Sequence, residues 1–332
     1  MKKYNVAVIG VGAVGIETIR VLRQRNFPTE KLVVMARRQR TIEVDGHKYD
    51  VIETTPDAFK GMEIVFFAGT EGEKGAAVIF AKPAIQCGAV VIDNGADFRM
   101  EDSVPLIIPE VNPEDIKTHK GIIANPNCST IQMVVAINPI HRAAGVKRIV
   151  VTTFQSASGA GRKAIEDLKK QSEELLLKNK ILSDGGSFAH PLAFNVIPQI
   201  GSFTKLDYTT EEWKIVKETR KIMHEPNMFI NATAIRVPVF NAHSESVYFE
   251  TKDNITLEQI RKILSKSEGI VLLDEPSTGT YPMPVNVTGK DPVYVGRMRK
   301  DPDVKNAFVM WVVADNLRKG AATNAIQIAE KL

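Results

Sequence analysis

The stretch Tyr4-Asn5-Val6-Ala7-Val8-Ile9-Gly10-Val11-Gly12-Ala13-Val14-Gly15 decides the fold. A β-rich apolar run, residues 4–9, feeds directly into Gly-x-Gly-x-x-Gly, and beyond it Ile16, Ile19, Val21 and Leu22 fall at helical spacing. Glycine lets the chain turn tightly out of a strand and lets backbone approach a ligand closely. The helix that follows offers unpaired N–H groups and partial positive charge at its N-terminus. In this context the motif reads as the pyrophosphate loop of a dinucleotide-binding βαβ unit, with Gly10, Gly12, Ala13, Val14 and Gly15 as its contact residues.

Working outward, strands are expected at 31–35, 64–68 and 89–93, with a helix over about 74–87 that ends at Gly88. Short apolar runs at 106–108 and 122–124 extend the set. Apolar strands separated by helices indicate a parallel sheet covered on both faces. After Cys128 the pattern changes. Helices are expected at about 129–144, 162–177, 211–223 and 257–265, and strands at 148–154, 229–239, 246–251, 271–273, 293–299 and 309–314, with 229–239 pairing 246–251. This half reads as α+β with a mixed or antiparallel sheet, and a last helix spans 316–329. The fold class is therefore α/β: a parallel-sheet nucleotide domain, residues 1–127 joined by the C-terminal helix 316–332, and a second domain over 128–315.

The end of the second strand indicates which nucleotide binds. A carboxylate there holds a ribose 2′-OH, but this chain has Ala36-Arg37-Arg38-Gln39-Arg40. Guanidinium groups suit a 2′-phosphate, so NADP is expected over NAD, with Arg37 and Arg38 at the phosphate. The nearby Gly69-Thr70-Glu71-Gly72-Glu73-Lys74-Gly75 is acidic for a segment beside a cofactor.

Composition narrows the functional classes. Among 332 residues, 44% are hydrophobic and 25% charged, the normal globular mix, and 43 Lys+Arg against 39 Asp+Glu leave a net charge of +4 with the two signs interspersed. No basic stripe points to nucleic acid, and no apolar stretch is long enough to span a bilayer. The reading is a soluble cytoplasmic protein without a structural metal. With only Cys87 and Cys128 a disulfide framework is excluded, so a cysteine that matters does so as a thiol.

Cys128 stands in Asn125-Pro126-Asn127-Cys128-Ser129-Thr130, where a strand and a proline turn give way to an apolar helix. A helix N-terminus stabilises thiolate, the form that attacks a carbonyl. Cys87 ends a helix, where the dipole opposes thiolate, and reads as structural. Of the six histidines, His243 follows a strand that carries Arg236 and sits just past a bend, which makes the pair a candidate carboxylate grip and proton handler. The small residues of Gln155-Ser156-Ala157-Ser158-Gly159-Ala160-Gly161 allow a ligand to approach closely.

Taken together, Gly10–Gly15, Asn127-Cys128-Ser129-Thr130, the 155–161 loop, Arg236 with His243, Ala193-Phe194-Asn195-Val196-Ile197-Pro198 and Asp315-Asn316-Leu317-Arg318-Lys319-Gly320 resemble the aspartate-β-semialdehyde dehydrogenases, in order and over nearly the whole chain. The resemblance implies a homodimer with an N-terminal Rossmann domain and a catalytic, dimerising C-terminal domain. It implies NADPH-dependent conversion of aspartyl phosphate to aspartate semialdehyde through a cysteine thioester, a step in making lysine, threonine, methionine and isoleucine. By matching position, Cys128 is implied as nucleophile, His243 as acid/base and Gln155 as the residue that positions substrate. Arg236 matches the carboxylate grip, Glu218 the partner of the amine, Arg99 and Lys221 the phosphate pair with Asn127 beside them, and Ser158, Gly159 and Asn316 the nicotinamide side. This chain departs in a glycine loop one residue shorter than is frequent there, and in lacking serines beside the expected 2′-phosphate. Related acyl-phosphate or acyl-CoA reductases, of the N-acetyl-γ-glutamyl-phosphate or malonyl-CoA type, are the alternative. A non-catalytic nucleotide sensor would have no use for the thiol.

Overall fold

The computed structural model describes residues 2–69, 75–178 and 184–332. It divides into two compact units, Met1–Asn127 with Ala321–Leu332, and Cys128–Gly320. The return to the first unit falls at Ala321 rather than at 316, because the Asn316 side chain is hydrogen-bonded within the second unit.

The first unit is built on seven strands: β1 (Tyr4–Ile9), β2 (Thr29–Ala36), β3 (Arg40–Val44), β4 (His47–Glu53), β5 (Ile64–Phe67), β6 (Val90–Asp93) and β7 (Ile122–Ala124), in the order β3-β4-β2-β1-β5-β6-β7. All neighbours are parallel except β3 with β4. Helix α1 (Ala13–Gln24) links β1 to β2, and α2 (Ala76–Gln86) links β5 to β6. Alternation along β1 sorts the two faces. Val6 and Val8 pack with α1 residues Ile19 and Leu22 and with Ile326 of the C-terminal helix Thr323–Ala329, whereas Ala7 and Ile9 pack with Ala77, Ala81 and Ala84 of α2. The strands thus lie between helices, as apolar parallel strands require.

Three local readings need correction. Residues 40–53 form a hairpin, β3 and β4, where no strands were expected. Its turn is Asp45-Gly46, both at positive φ, which is the Asp-Gly signal for a two-residue hairpin. Arg40 therefore opens β3 and does not lie in the loop after β2. Residues 106–108 make only a single bridge, Leu106 to Ala124, because the Asn112 amide accepts from the Ile108 N–H and donates to the Leu106 carbonyl. The acidic run at 70–74 and the start of the helix expected from 74 lie outside the described residues.

The second unit is a mixed six-stranded sheet of β8 (Val146–Gln155), β9 (Phe229–Arg236), β10 (His243–Thr251), β11 (Ile270–Leu272), β12 (Val293–Lys300) and β13 (Ala307–Ala314), ordered β11-β12-β13-β10-β8-β9. The expected pairing of the 229–239 and 246–251 strands does not occur. β9 pairs parallel with one edge of β8, and β10 pairs antiparallel with the other. The intervening chain crosses the end of β8, with the Val237 N–H bonded to Gln155 O and the Ala157 and Ser158 N–H groups bonded to Val239 O and Phe240 O. Helices α3 (Cys128–Ala144), α5 (Thr210–Ile222) and α6 (Leu257–Leu264) cover one sheet face, and α4 (Arg162–Lys178) follows the loop after β8. On the other face Val150, Thr152, Phe154, Tyr248, Val309 and Trp311 stay half-exposed, with Phe154 and Trp311 rings 5.5 Å apart. The last expected helix is broken: Arg318–Ala322 is a π-turn, and α-helix resumes at Thr323. Among the described residues no helix is long and apolar enough to cross a membrane.

Candidate active site

In the first unit the glycine loop has the shape the motif demands. Gly10 has φ +102°, and a Cβ there would lie 2.8 Å from Ala68 O; a Cβ on Gly15 would lie 2.0 Å from Gly10 O. Both positions exclude any side chain. Gly12 caps α1 in extended conformation without a side-chain cap, no acid occupies the first turn, and among the described residues nothing stands within 4 Å of its Cβ position. The loop therefore presents open backbone at a helix start, the cradle a pyrophosphate needs. Arg37 and Arg38 are exposed in the loop after β2. Arg99 belongs to this unit and is buried, its Nε donating to Asn125 O at 2.9 Å and its Nη2 to Asn94 O at 2.7 Å. Asn127 is buried at the unit's end, next to Cys128 in the chain.

In the second unit the strand topology gathers the expected residues. Gln155 and Arg236 are register partners at the parallel ends of β8 and β9, and His243 opens antiparallel β10 on the far side of β8. All three point to the helix-covered face and are buried. Cys128 is the first residue of α3, partly exposed, with no acid in that turn. Its neighbour is Gly320 in the π-turn, where a Cβ would lie 2.8 Å from the Cys128 Cβ. Gln155 Nε2 donates to Glu211 Oε1 at 3.1 Å, from the first turn of α5. Glu218 is buried two turns further along the same helix, and Lys221 follows, half-buried.

The loop after β8 ties these groups together. Ser156 N–H donates to His243 Nδ1 at 3.1 Å, and Ser156 Oγ lies 3.0 Å from the same nitrogen. Arg236 Nη1 donates to Ser156 O at 2.6 Å. Asn316 Oδ1 accepts from Ala242 N–H at 3.1 Å and from Ser158 Oγ at 2.9 Å, which leaves the Asn316 amide nitrogen for any cofactor contact. A Cβ on Gly159 would lie 2.9 Å from Arg236 Nη1 and 3.0 Å from His243 Nε2. Burial, reinforced by the Arg236 charge and opposed by the Ala242 backbone, holds the His243 imidazole well below its ordinary pKa, so the ring is neutral. Burial also disfavours the Arg236 charge, while Glu211 and Cys128 favour it.

Ser156, Glu211, Gly320 and Glu245 are missing from the sequence reading. Ser156 and Gly320 stand there only inside quoted runs, without a role of their own; Glu211 and Glu245 become visible through contacts. Glu245 is wholly buried one pleat below His243, and among the described residues neither carboxyl oxygen has a partner within hydrogen-bond geometry. Gln132, four residues after Cys128 on α3, is the polar group beside it and tempers the shift. Burial still dominates and pushes the carboxyl well above the ordinary range. The folded protein therefore holds a proton on Glu245 to higher pH than the unfolded chain does. The native state binds more protons there, so this residue's contribution to stability falls as pH rises. Glu245→Gln is expected to raise Tm at about pH 8 and to change it little at about pH 4. A Tm difference constant between those values, in thermal melts across the range, would remove the buried-acid assignment.

A doubly covered parallel sheet with a glycine-rich turn, joined to a unit carrying a thiol at a helix start, defines a two-domain nicotinamide-dependent dehydrogenase. The family model described as semialdehyde dehydrogenase, NAD binding domain, matches residues 5–119, and that described as semialdehyde dehydrogenase, dimerisation domain, matches residues 137–319. The chain is 48% identical to the aspartate-semialdehyde dehydrogenase of Aquifex aeolicus over 99% of this chain and 98% of that protein. It is 44% identical to that of Bacillus subtilis over 99% and 97%. The crystal structure of aspartate semialdehyde dehydrogenase II complexed with ASA, from Vibrio cholerae, superposes with a TM-score of 0.94 at 42% identity, covering 100% of this chain and 98% of that one. The chain belongs to the aspartate-semialdehyde dehydrogenase family and is an oxidoreductase.

Proposed function

We propose that the chain catalyses NADPH-dependent reductive dephosphorylation of L-aspartyl 4-phosphate to L-aspartate 4-semialdehyde through a thioester on Cys128. The observation that carries this reading is the second unit's geometry: a partly exposed thiol heads α3, in the same unit as a buried arginine and a neutral imidazole held by one loop. The relatives at 48% and 44% identity favour this substrate over the N-acetyl-γ-glutamyl-phosphate and malonyl-CoA alternatives.

The substrate carries an acyl phosphate, an α-carboxylate and an ammonium. Arg236 is the group assigned to grip the carboxylate, with its Nη1 engaged by Ser156 O. Glu218 answers the ammonium. We assign Arg99, Asn127 and Lys221 to the phosphate, and Gln155, anchored on Glu211, to orienting the carbonyl. The Cys128 thiolate, stabilised by the helix start, attacks the carbonyl carbon, and the C–O bond to phosphate breaks. When bound, the nicotinamide supplies the hydride. His243 attends the oxygen of the thiohemiacetal, which collapses to release the semialdehyde and regenerate the thiolate.

The Gly10–Gly15 loop, with the Ala13 and Val14 backbone, would hold the pyrophosphate of a bound cofactor, and Ser158, Gly159 and Asn316 are the residues assigned to its nicotinamide. Arg37 and Arg38, exposed at the end of β2, take the 2′-phosphate. Arg37→Ala combined with Arg38→Ala is expected to raise KM for NADP on the order of tenfold or more and to leave KM for NAD nearly unchanged. Equal effects on both cofactors, in parallel saturation curves, would put the 2′-phosphate elsewhere.

The half-exposed sheet face with Val150, Thr152, Phe154, Tyr248 and Trp311 forms the interface of a homodimer, which agrees with the dimerisation family matched by this unit. Thr152→Arg places an unpaired charge in that interface without disturbing the helix-covered core. Sedimentation should find a monomer, and a dimer of unchanged strength would move the interface.

The deciding assay follows NADPH formation from aspartate semialdehyde plus phosphate, with N-acetylglutamate semialdehyde in parallel. Turnover with the first and not the second is expected; the opposite preference would overturn the substrate assignment.

A further inference from the structure

Resting on the reading of Arg99 as a phosphate-binding group, we propose that Asn324, in the C-terminal helix, is a positioning residue for Arg99. Through the amides of Asn125 and Asn94 it fixes the two main-chain carbonyls that aim the guanidinium, and so it sets the affinity for phosphate.

Backbone holds Arg99 at two points. Its Nε donates to Asn125 O at 2.9 Å and its Nη2 to Asn94 O at 2.7 Å, and the residue is buried. The two carbonyls belong to different chain segments, each one residue past the end of its strand, β6 for Asn94 and β7 for Asn125. The parallel register of those strands runs to Asp93 opposite Ala124, and Asn125 N–H bonds to Asp93 O at 2.7 Å. The Asn94 carbonyl lies beyond that ladder. There the two chain ends are joined by a side-chain bond, Asn125 Nδ2 to Asn94 Oδ1 at 3.0 Å. This amide pair sets the separation of two acceptors that a planar, rigid guanidinium has to bridge.

The amides admit one orientation. A main-chain carbonyl only accepts, so an amide that meets one presents its nitrogen. Asn324 Nδ2 donates to Ile107 O at 3.0 Å, Asn125 Nδ2 to Ala321 O at 3.4 Å, and Asn94 Nδ2 to Phe67 O at 3.0 Å. Each amide pinned this way turns its oxygen toward the next nitrogen. Asn324 Nδ2 donates to Asn125 Oδ1 at 2.6 Å, and Asn125 Nδ2 in turn donates to Asn94 Oδ1. The bonds thus run one way, from the C-terminal helix to the end of β7 and on to the end of β6, all within the first unit.

Burial marks the chain of amides as more than filling. Asn324 and Asn125 are fully buried, and the residues after Asn324 in its helix, Ala325 and Ile326, belong to the apolar core. A polar group at that depth persists where hydrogen bonds offset its desolvation. Without the Asn324 amide, Asn125 Oδ1 loses its donor and the Asn125 side chain can turn away from Asn94. The two carbonyls then drift relative to each other, and the guanidinium loses the fixed plane that phosphate recognition uses.

The test measures KM for inorganic phosphate, aspartate semialdehyde and NADP separately, in the direction that forms NADPH. Arg99→Ala should raise KM for phosphate on the order of tenfold or more. If it does not, the phosphate reading of Arg99 fails and takes the inference with it. Asn324→Ala should raise KM for phosphate about five- to tenfold and leave the other two within about twofold. With the Arg99 reading intact, a rise shared by all three, or a lowered Tm with KM for phosphate unmoved, would make Asn324 a structural pin only and overturn the inference. In the Arg99→Ala background Asn324→Ala should add nothing further to KM for phosphate; the same factor in both backgrounds would show that it acts elsewhere. If Asn324→Ala does not fold, Asn94→Ala, at a half-buried position, removes the next acceptor and should give the same selective rise. An unchanged KM for phosphate in that variant overturns the inference equally.

Discussion

Cys128→Ala is expected to reduce turnover by a factor on the order of 10⁴ or more while leaving NADP affinity within about twofold of wild type. The two halves of this expectation come from different units. The thiol is the first residue of α3, where the helix start and the Arg236 charge stabilise the anion, and without sulfur there is no thioester to reduce. The loop assigned to the pyrophosphate, Gly10, Gly12 and Gly15, lies in the other unit, where its neighbours include Met35, Ala68 and Gly69. The substituted methyl group adds no bulk to the tight approach of Gly320. Steady-state rates combined with a fluorescence titration of NADPH measure both quantities. Activity near that of wild type would end the covalent route, and lost cofactor binding would show that the substitution damaged more than the nucleophile.

How far the sequence discloses such a site depends on whether the signal is local. Gly10, Gly12 and Gly15 are legible because each answers a constraint set by residues next to it: a strand end, a tight turn and a helix start. The same holds for Cys128, since proline, polar residues and a following apolar helix lie within a few positions. The hairpin at 40–53 carried a local signal too, Asp45-Gly46, but its strands are polar at the edge of the sheet, so hydrophobic alternation did not reveal them. The order of strands in the second unit is different in kind. Nothing in residues 229–251 states that β8 will stand between β9 and β10; that follows from the crossing at Val237–Phe240, which is a tertiary event. Glu245 shows the limit most plainly. Flanked by Ser244 and Ser246, it reads as a solvated carboxylate, yet the strand phase that buries His243 must also bury the residue two positions on. Its pairing with a hydrophobic valine, Val312, becomes visible only in the register.

That strand phase has a mechanistic consequence. β8, β9 and β10 deliver Gln155, Arg236 and His243 to one face because two are parallel ends and the third is an antiparallel start. The loop after β8 then touches all three: it continues from Gln155, accepts from Arg236 and donates to His243. The side chains proposed to grip and polarise the substrate, Arg236 and His243, are thus held by main-chain atoms of Ser156. Rotation of the loop would move the carboxylate site and the imidazole together. Ser158 and Asn316 work on the same loop from below, and Asn316 also fixes Ala242, whose φ of +67° sets the bend into β10.

Gly159→Ala tests that arrangement with the smallest possible perturbation. The added methyl would stand 2.9 Å from Arg236 Nη1, too close for carbon, and 3.0 Å from both Cε1 and Nε2 of His243, so these neighbours must give way. Neither neighbour swings away freely. Arg236 Nη1 is bonded to Ser156 O at 2.6 Å and His243 Nδ1 to Ser156 N–H at 3.1 Å, so relief requires breaking one of these bonds or shifting the loop. A displacement of about 1 Å costs on the order of 10²-fold in rate when it separates a positioned donor from the reacting oxygen. We expect kcat to fall by about that factor and KM for the semialdehyde to rise, because both the imidazole and the carboxylate grip move. Cys128 is placed by α3 and Gly320, outside the loop, so it should still be alkylated to completion, at a rate that changes only as far as the Arg236 charge is displaced. Steady-state kinetics with iodoacetamide labelling separate the outcomes. A variant with unchanged kcat would mean that the loop yields without moving Arg236 and His243, and the main-chain scaffold assigned to Ser156 would no longer account for the site.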